Sequence, residues 1–320
     1  MRYRPDKLPT NKLRFMSTST ANARVALPHQ KRGVVQILIG TLTIASLLAA
    51  LNVALLTKSL VENKRIETRT IAQGYAQRLQ DQIQNAMVST YVLASVIKQN
   101  GGRTDTFDET ATELITMFPS VSALQLAPDG VIQHIVPRKG NEAAIGHDLL
   151  TDKLRNREAA AAITLRQLTL AGPFELVQGG MGAVGRLPVF LKKPQNDNHF
   201  WGFAIALIRI PRLIESAGLG SLARAGYQYE LWRIHPETEK RQIFARNSDQ
   251  DLGDPVDYVV TIYGGRWVLS IAPENGWISP PDVLPIVGLN VVGILGVVLL
   301  QYLGIRLLLL RRKPAIGVNT

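Results

Sequence analysis

Two long apolar runs frame this chain. From Val34 to Thr57 there are 24 consecutive residues without a formal charge, and from Val283 to Ile305 another 23. A helix rises about 1.5 Å per residue and the hydrocarbon core of a bilayer is about 30 Å thick, so either run is long enough to span it. Pro280, Pro281 and Pro285 open the second run and suit a helix start better than its interior. A secretory h-region is about 7–15 residues long and follows a short basic segment. Here 33 residues precede a longer run, which favours a span over a signal peptide. The sequence therefore predicts transmembrane helices at 34–57 and 283–305, and a segment at 58–282 large enough to fold as a domain.

Inside that segment, residues 58–100 contain no proline and one glycine, Gly74, before Gly101-Gly102. Small or apolar residues recur there at Ala72, Leu79, Ala86 and Leu93 and at Ala76, Ile83, Thr90 and Ile97, two series of period seven. That spacing predicts one long helix continuous with the first span. Its seam serves either a dimer partner or its own domain. Beyond it, Phe107–Phe118 predicts a short helix, and Val121–Leu126 with Val131–Val136 a hairpin turning at Ala127-Pro128-Asp129-Gly130. Helices are expected at Asp152–Leu165 and Pro211–Arg224. Strands are expected at Leu168–Val177, Leu187–Leu191, Phe200–Ile208, Tyr227–Ile234, Gln242–Ala245, Val256–Ile262 and Arg266–Ile271, from their Val, Ile and aromatic content. The fold class is α+β, with short strands and few helices rather than a parallel nucleotide-binding sheet.

Charge changes the picture in one respect. A net of +11 suggests a nucleic-acid surface until its location is noted. Residues 1–33 carry a net +7 and residues 304–320 a net +4, while everything between is neutral. Basic residues beside span ends mark the cytoplasmic side, so 1–33 and 306–320 are expected as cytoplasmic tails on a two-pass inner (plasma) membrane protein, with 58–282 extracytoplasmic. Nucleic acid is excluded as a partner; the lipid bilayer is one. The segment after the second span is too short for a kinase, cyclase or DNA-binding module.

No chemistry of catalysis is legible. The chain has no cysteine, so thiolate metal sites, Cys nucleophiles and disulfides are ruled out. His29, His134, His147, His199 and His235 are scattered, without metal-ligand spacing, and neither GxSxG nor HExxH occurs. Gly180-Met181-Gly182-Ala183-Val184-Gly185 is a literal GxGxxG, but a pyrophosphate-binding glycine loop must open a helix and Pro188 would block one. We read these glycines as a flexible turn between strands. No catalytic residue, metal or cofactor is expected.

Several stretches carry a resemblance. Leu124–Leu150 (LQLAPDGVIQHIVPRKGNEAAIGHDLL), Thr169–Phe190 (TLAGPFELVQGGMGAVGRLPVF) and Phe200-Trp201-Gly202-Phe203, in that order, resemble the CHASE domain, a sensory domain associated with cyclases and histidine kinases. The resemblance covers about 60–280. It implies a long N-terminal helix over 58–100, PAS-like α/β subdomains over 105–280, two flanking spans and signalling as a dimer. It further implies a membrane-distal pocket. In the branch similar to plant cytokinin receptors, an aspartate a fixed distance before a Ser/Gly-Pro-Phe motif hydrogen-bonds an adenine-type ligand. Asp148 stands 25 residues before Pro173 of Ala171-Gly172-Pro173-Phe174 and matches that position. Asp148 is expected as the polar recognition group, with Leu149, Leu150, Ala171, Gly172 and Phe190 as pocket walls. The alternative for Asp148 is a helix N-cap or a surface turn.

The expectation from sequence is thus a membrane sensor that binds a small molecule and signals through a homodimer or a separate partner protein. Relatives carry a kinase or cyclase after the second span, whereas Thr320 follows Lys313 by seven residues here. A non-sensing docking or assembly partner, or the remnant of a sensor kinase or cyclase, are the alternatives.

Overall fold

A computed structural model describes residues 29–152, 156–193, 196–236 and 238–311. Most of the two basic tails lies outside them. Contacts divide the chain into two units, one formed by the apolar helical segments up to Val53 and from Val287, the other by Ala54–Ile286.

The first helix, α1 (His29–Gln99), has 71 residues and runs without interruption through the first predicted span and the period-seven seam. The last, α6 (Pro280–Arg311), begins earlier than the apolar run. Pro280 and Pro281 occupy its first turn as expected, but Pro285 falls inside it. At its start Asp282 Oδ2 accepts from the Ser279 backbone N–H at 2.9 Å and from the Ser279 hydroxyl at 2.7 Å. The same carboxylate oxygen is 2.7 Å from Lys64 Nζ on α1. Arg65 adds an ion pair to Asp254 and stacks 4.6 Å over the Trp277 ring.

Within the Ala54–Ile286 unit lie two antiparallel sheets. The first contains β1 (Ala123–Pro128), β2 (His134–Val136), β3 (Thr169–Glu175), β4 (Met181–Lys193) and β5 (Asn196–Arg209), in the spatial order β2-β1-β5-β4-β3. The second contains β6 (Tyr227–Ile234), β7 (Arg241–Arg246), β8 (Val256–Ile262) and β9 (Gly265–Pro273), in the order β7-β6-β9-β8. Helices α2 (Phe107–Met117), α3 (Asn156–Leu165), α4 (Ile210–Ser216) and α5 (Gly220–Arg224) complete the unit. This is the expected α+β architecture: a long helix followed by PAS-like sheets.

Alternation along the strands sorts the first sheet into two apolar faces. Leu124, Leu126, Ala183, Leu187, Ala204, Ala206 and Ile208 face one core, shared with α1. Ala123, Ala127, Val184, Phe203, Ile205 and Leu207 face a second, smaller one. Both heptad series of α1 are buried, with Ala72, Leu79, Ala86 and Thr90 fully so. The seam is therefore occupied within the chain rather than held open for a partner.

Three local expectations change. The glycine-rich segment is not a turn: Gly182 and Gly185 sit inside β4, and only Gly179 and Gly180 belong to the β3–β4 turn. The Cβ of any other residue at Gly185 would collide with Met87 Sδ, and at Gly182 it would lie 2.7 Å from Leu176 Cδ1. These glycines exist because a helix and a loop press on the strand, and β4 continuing from them removes the case for a nucleotide loop. The helix expected over Pro211–Arg224 is split into α4 and α5 at Gly218, whose φ is +74°. The helix expected from Asp152 begins at Asn156, residues 153–155 lying outside the described ones.

Candidate functional site

A partly open cavity borders the smaller core. Its floor is the first sheet and its cover is the chain between β2 and α3 together with the β3–β4 turn. The cavity measures about 40 Å³ and is lined by Gln125, Ile132, Ala144, His147, Leu149 and Arg186, with Phe174, Leu176, Gln178 and Leu207 among the rest. Since about 10–15 Å³ of such space holds one water, this form has room for a few waters and not for a metabolite.

Its polarity comes from the sheet itself. Gln125 on β1 pairs with Ile205 on β5, and Ile205 pairs with Arg186 on β4. Directly opposed residues share a face, so Gln125 and Arg186 flank Ile205 on the cavity side. They are 3 % and 1 % exposed, in a row that ends at the buried Thr169 on β3. Burying a guanidinium is costly unless its environment supplies acceptors, so a buried arginine has to be held by the groups around it. At the rim, His147 Nε2 is 3.1 Å from Asp152 Oδ2. Across the mouth, Gln178 Nε2 donates to Asn141 Oδ1 at 3.3 Å, and Asn141 Nδ2 donates to the Pro137 carbonyl at 2.9 Å. The two covering segments are thus latched to each other.

The six residues singled out from sequence are distributed as follows. Leu149, 3 % exposed, lines the cavity. Asp148 adjoins it, half-buried, and bridges to Val131. Its Oδ1 accepts the backbone N–H groups of Leu150 at 2.9 Å and Thr151 at 3.3 Å. The Leu150 bond holds the carboxyl below its ordinary value; burial opposes this, and Thr151 and His147 add to the lowering. Leu150 packs beneath Gly130, at whose φ of +88° a Cβ would meet its side chain. Ala171 and Gly172 lie at a bulge in β3, where the Arg233 guanidinium from the second sheet donates to the Gly172 carbonyl and, at 3.1 Å, to that of Pro173. Phe190 lies elsewhere, beneath the Arg166 guanidinium at 4.6 Å, in an open groove of about 800 Å³ beside the end of α1.

Gln125 and Arg186 were not anticipated. The signal for them was present: each is a polar residue inside an apolar strand, LQLA and GRLPVF, at the position where alternation requires an inward side chain.

The first sheet, in the order 2-1-5-4-3, thus carries a long helix on one face and a polar cavity on the other. A profile of the CHASE domain matches residues 61–244, more than half of the chain, and the chain belongs to the CHASE domain family. No curated protein matches it significantly. Among solved structures, an extracellular ligand binding receptor from Desulfohalobium retbaense is similar at 15% identity and a TM-score of 0.51, covering 64% of this chain and 40% of that one. This chain therefore spans well under half of that receptor. The sensory domain of the Campylobacter jejuni chemoreceptor Tlp3 (CcmL) is similar at 11% identity and a TM-score of 0.48, over 71% of this chain and 98% of that one. The ligand-binding domain of the same chemoreceptor in complex with L-valine gives 10% identity and a TM-score of 0.47, over 71% and 97%. The CHASE domain is accompanied by two helices long and apolar enough to cross a membrane.

Proposed function

We propose that this chain is a membrane-anchored, non-catalytic sensor whose extracytoplasmic domain binds a small molecule in the cavity beside Leu149 and conveys the change through α1 and α6. The observation carrying this reading is the buried Gln125–Arg186 pair lining a partly open cavity, because a few placed polar groups among apolar walls are how ligand sites gain orientation and specificity. The basic residues flanking the apolar runs support cytoplasmic termini, and with them an output through a homodimer or a separate signalling protein. Asp148, Leu150, Ala171, Gly172 and Phe190 belong to this proposal as groups brought into play when the cover opens, since the closed cavity touches only Leu149 of the six.

A ligand shifts such a protein only by its differential affinity for two states. The test is thermal melting of the full chain in nanodiscs against a library of small metabolites. At 100 times its Kd a ligand adds about 2.7 kcal/mol, a shift easily read. The reading requires at least one stabilising compound whose effect is lost in Gln125→Leu. A library without any stabiliser removes it.

A further inference from the structure

The polar groups of the cavity narrow the chemistry of what it takes, on the reading just given. Of the side chains lining it, the polar ones are Arg186, Gln125, His147 and Gln178: one guanidinium, one imidazole, two carboxamides and no carboxylate. Asp152, 3.1 Å from His147, stands outside the lining set, and the carboxylate of Asp148 is turned to the backbone N–H groups of Leu150 and Thr151. A guanidinium offers five donors and no acceptor in a planar fork that matches a carboxylate in two parallel hydrogen bonds. Gln125 stands two strands away in the same row, separated by Ile205. The remaining walls, among them Leu149, Phe174, Leu176 and Leu207, are apolar.

We infer that the cavity, widened as its cover opens, selects a small organic acid, its carboxylate taken by Arg186 and its apolar or amide-bonding remainder by the Gln125 side and the surrounding walls. This differs from recognition of a ring N–H by Asp148, whose Oδ1 already accepts the Leu150 and Thr151 backbone N–H groups. The probes are matched acids and amides: isovalerate and isovaleramide, benzoate and benzamide, succinate and succinamide, at equal ionic strength on the full chain in nanodiscs. At least one acid is expected to raise the melting temperature where its amide does not, with affinity reduced at least tenfold in Arg186→Lys and abolished in Arg186→Gln. Should Arg186→Gln fail to fold, Arg186→Lys and Gln125→Leu carry the comparison. Amides that stabilise as well as their acids overturn the inference and leave the sensor reading standing. No shift from any of the six probes also overturns it, and the metabolite library then decides the sensor reading separately.

A second inference rests on the apolar helices alone. Asn290 Nδ2 on α6 donates to Asn52 Oδ1 on α1 at 3.3 Å, and Gln301 Nε2 donates to Thr41 Oγ1 at 2.9 Å. Within each helix the two participants are 11 residues apart, close to three turns, so both lie on one face. The pairings run in opposite chain directions in constant register. Their neighbours Leu51 and Leu289 are 56 % and 74 % exposed, as lipid-facing residues would be. In hydrocarbon there is no water to take over a lost hydrogen bond, and polar side chains between spans act as glue. The geometry points to an intrachain antiparallel pair of spans, pinned in register by two polar rungs. Since the protein has no native cysteine, it is directly testable in membranes. Oxidative cross-linking of Asn52→Cys with Asn290→Cys, and of Thr41→Cys with Gln301→Cys, is expected to give an intrachain bond, while Leu51→Cys with Leu289→Cys gives none. Products linking two chains, or equal yield at the Leu51–Leu289 pair, overturn the assignment.

Discussion

The sulfur of Met87 on α1 rests directly against the backbone of Gly185 on β4, leaving no room there for a side chain. Met87 is fully buried beside the period-seven seam, so the contact is part of the packing of the larger core. Gly185→Ala is expected to destabilise the chain by about 1–3 kcal/mol through overpacking. A double-mutant cycle in thermal or denaturant unfolding checks it. Combined with Met87→Ala, the substitution at Gly185 should cost markedly less than it does alone.

The carboxylate of Asp148 gives a pH-dependent prediction. Its folded pKa lies below the ordinary 3.8, chiefly through the Leu150 N–H. A depressed acid contributes stability above its unfolded value and loses it as pH falls through the folded value. Parent and Asp148→Asn should therefore differ in melting temperature at neutral pH, the parent being the more stable, and converge as the solution is acidified below about pH 4. A difference that persists at the acid end would mean the carboxyl's charge is not what the turn uses.

The Gln178–Asn141 hydrogen bond latches the two segments covering the cavity. Gln178→Ala should speed deuterium exchange in the segment 141–149 while leaving β5 protected, since the sheet beneath keeps its own ladder. Exchange that rises equally across the sheet would show the residue supporting the fold instead of the cover.

Asp282 and Lys64 should respond unequally. Asp282 caps α6 through Ser279 as well as pairing with Lys64, whereas Lys64 has only the ion pair among these interactions. Asp282→Asn is expected to lower the melting temperature more than Lys64→Met, because it weakens the cap and the pair together. Equal losses would assign the whole effect to the ion pair.

How much of this was legible depends on where the determinants lie. Strands β6 and β8 were readable to the residue, since Tyr227–Ile234 and Val256–Ile262 carry their own β-branched and aromatic pattern. The α1 seam was readable as a periodicity, but periodicity does not say what covers it; Gly185, some hundred residues downstream of Met87, does. For the same reason the start of β4 was taken for a turn: local propensity counts glycine as a breaker, while the packing of Met87 and Leu176 demands it. The family resemblance points to Asp148 and Leu149, of which Leu149 lines the cavity. Arg186 became visible only when strand pairing aligned it with Gln125 across Ile205, a relationship no single stretch of sequence contains.

The clasp between Lys64 and Asp282 joins residues 218 positions apart, one shortly after the chain enters the Ala54–Ile286 unit and one shortly before it leaves. Chain that is fastened at its own entrance and exit forms a closed ring toward any force applied through those two ends. The Lys64–Asp282 and Arg65–Asp254 pairs close that ring from adjacent positions on α1. The entering helix and the start of the leaving one are therefore held together by side chains as well as through the sheets between them.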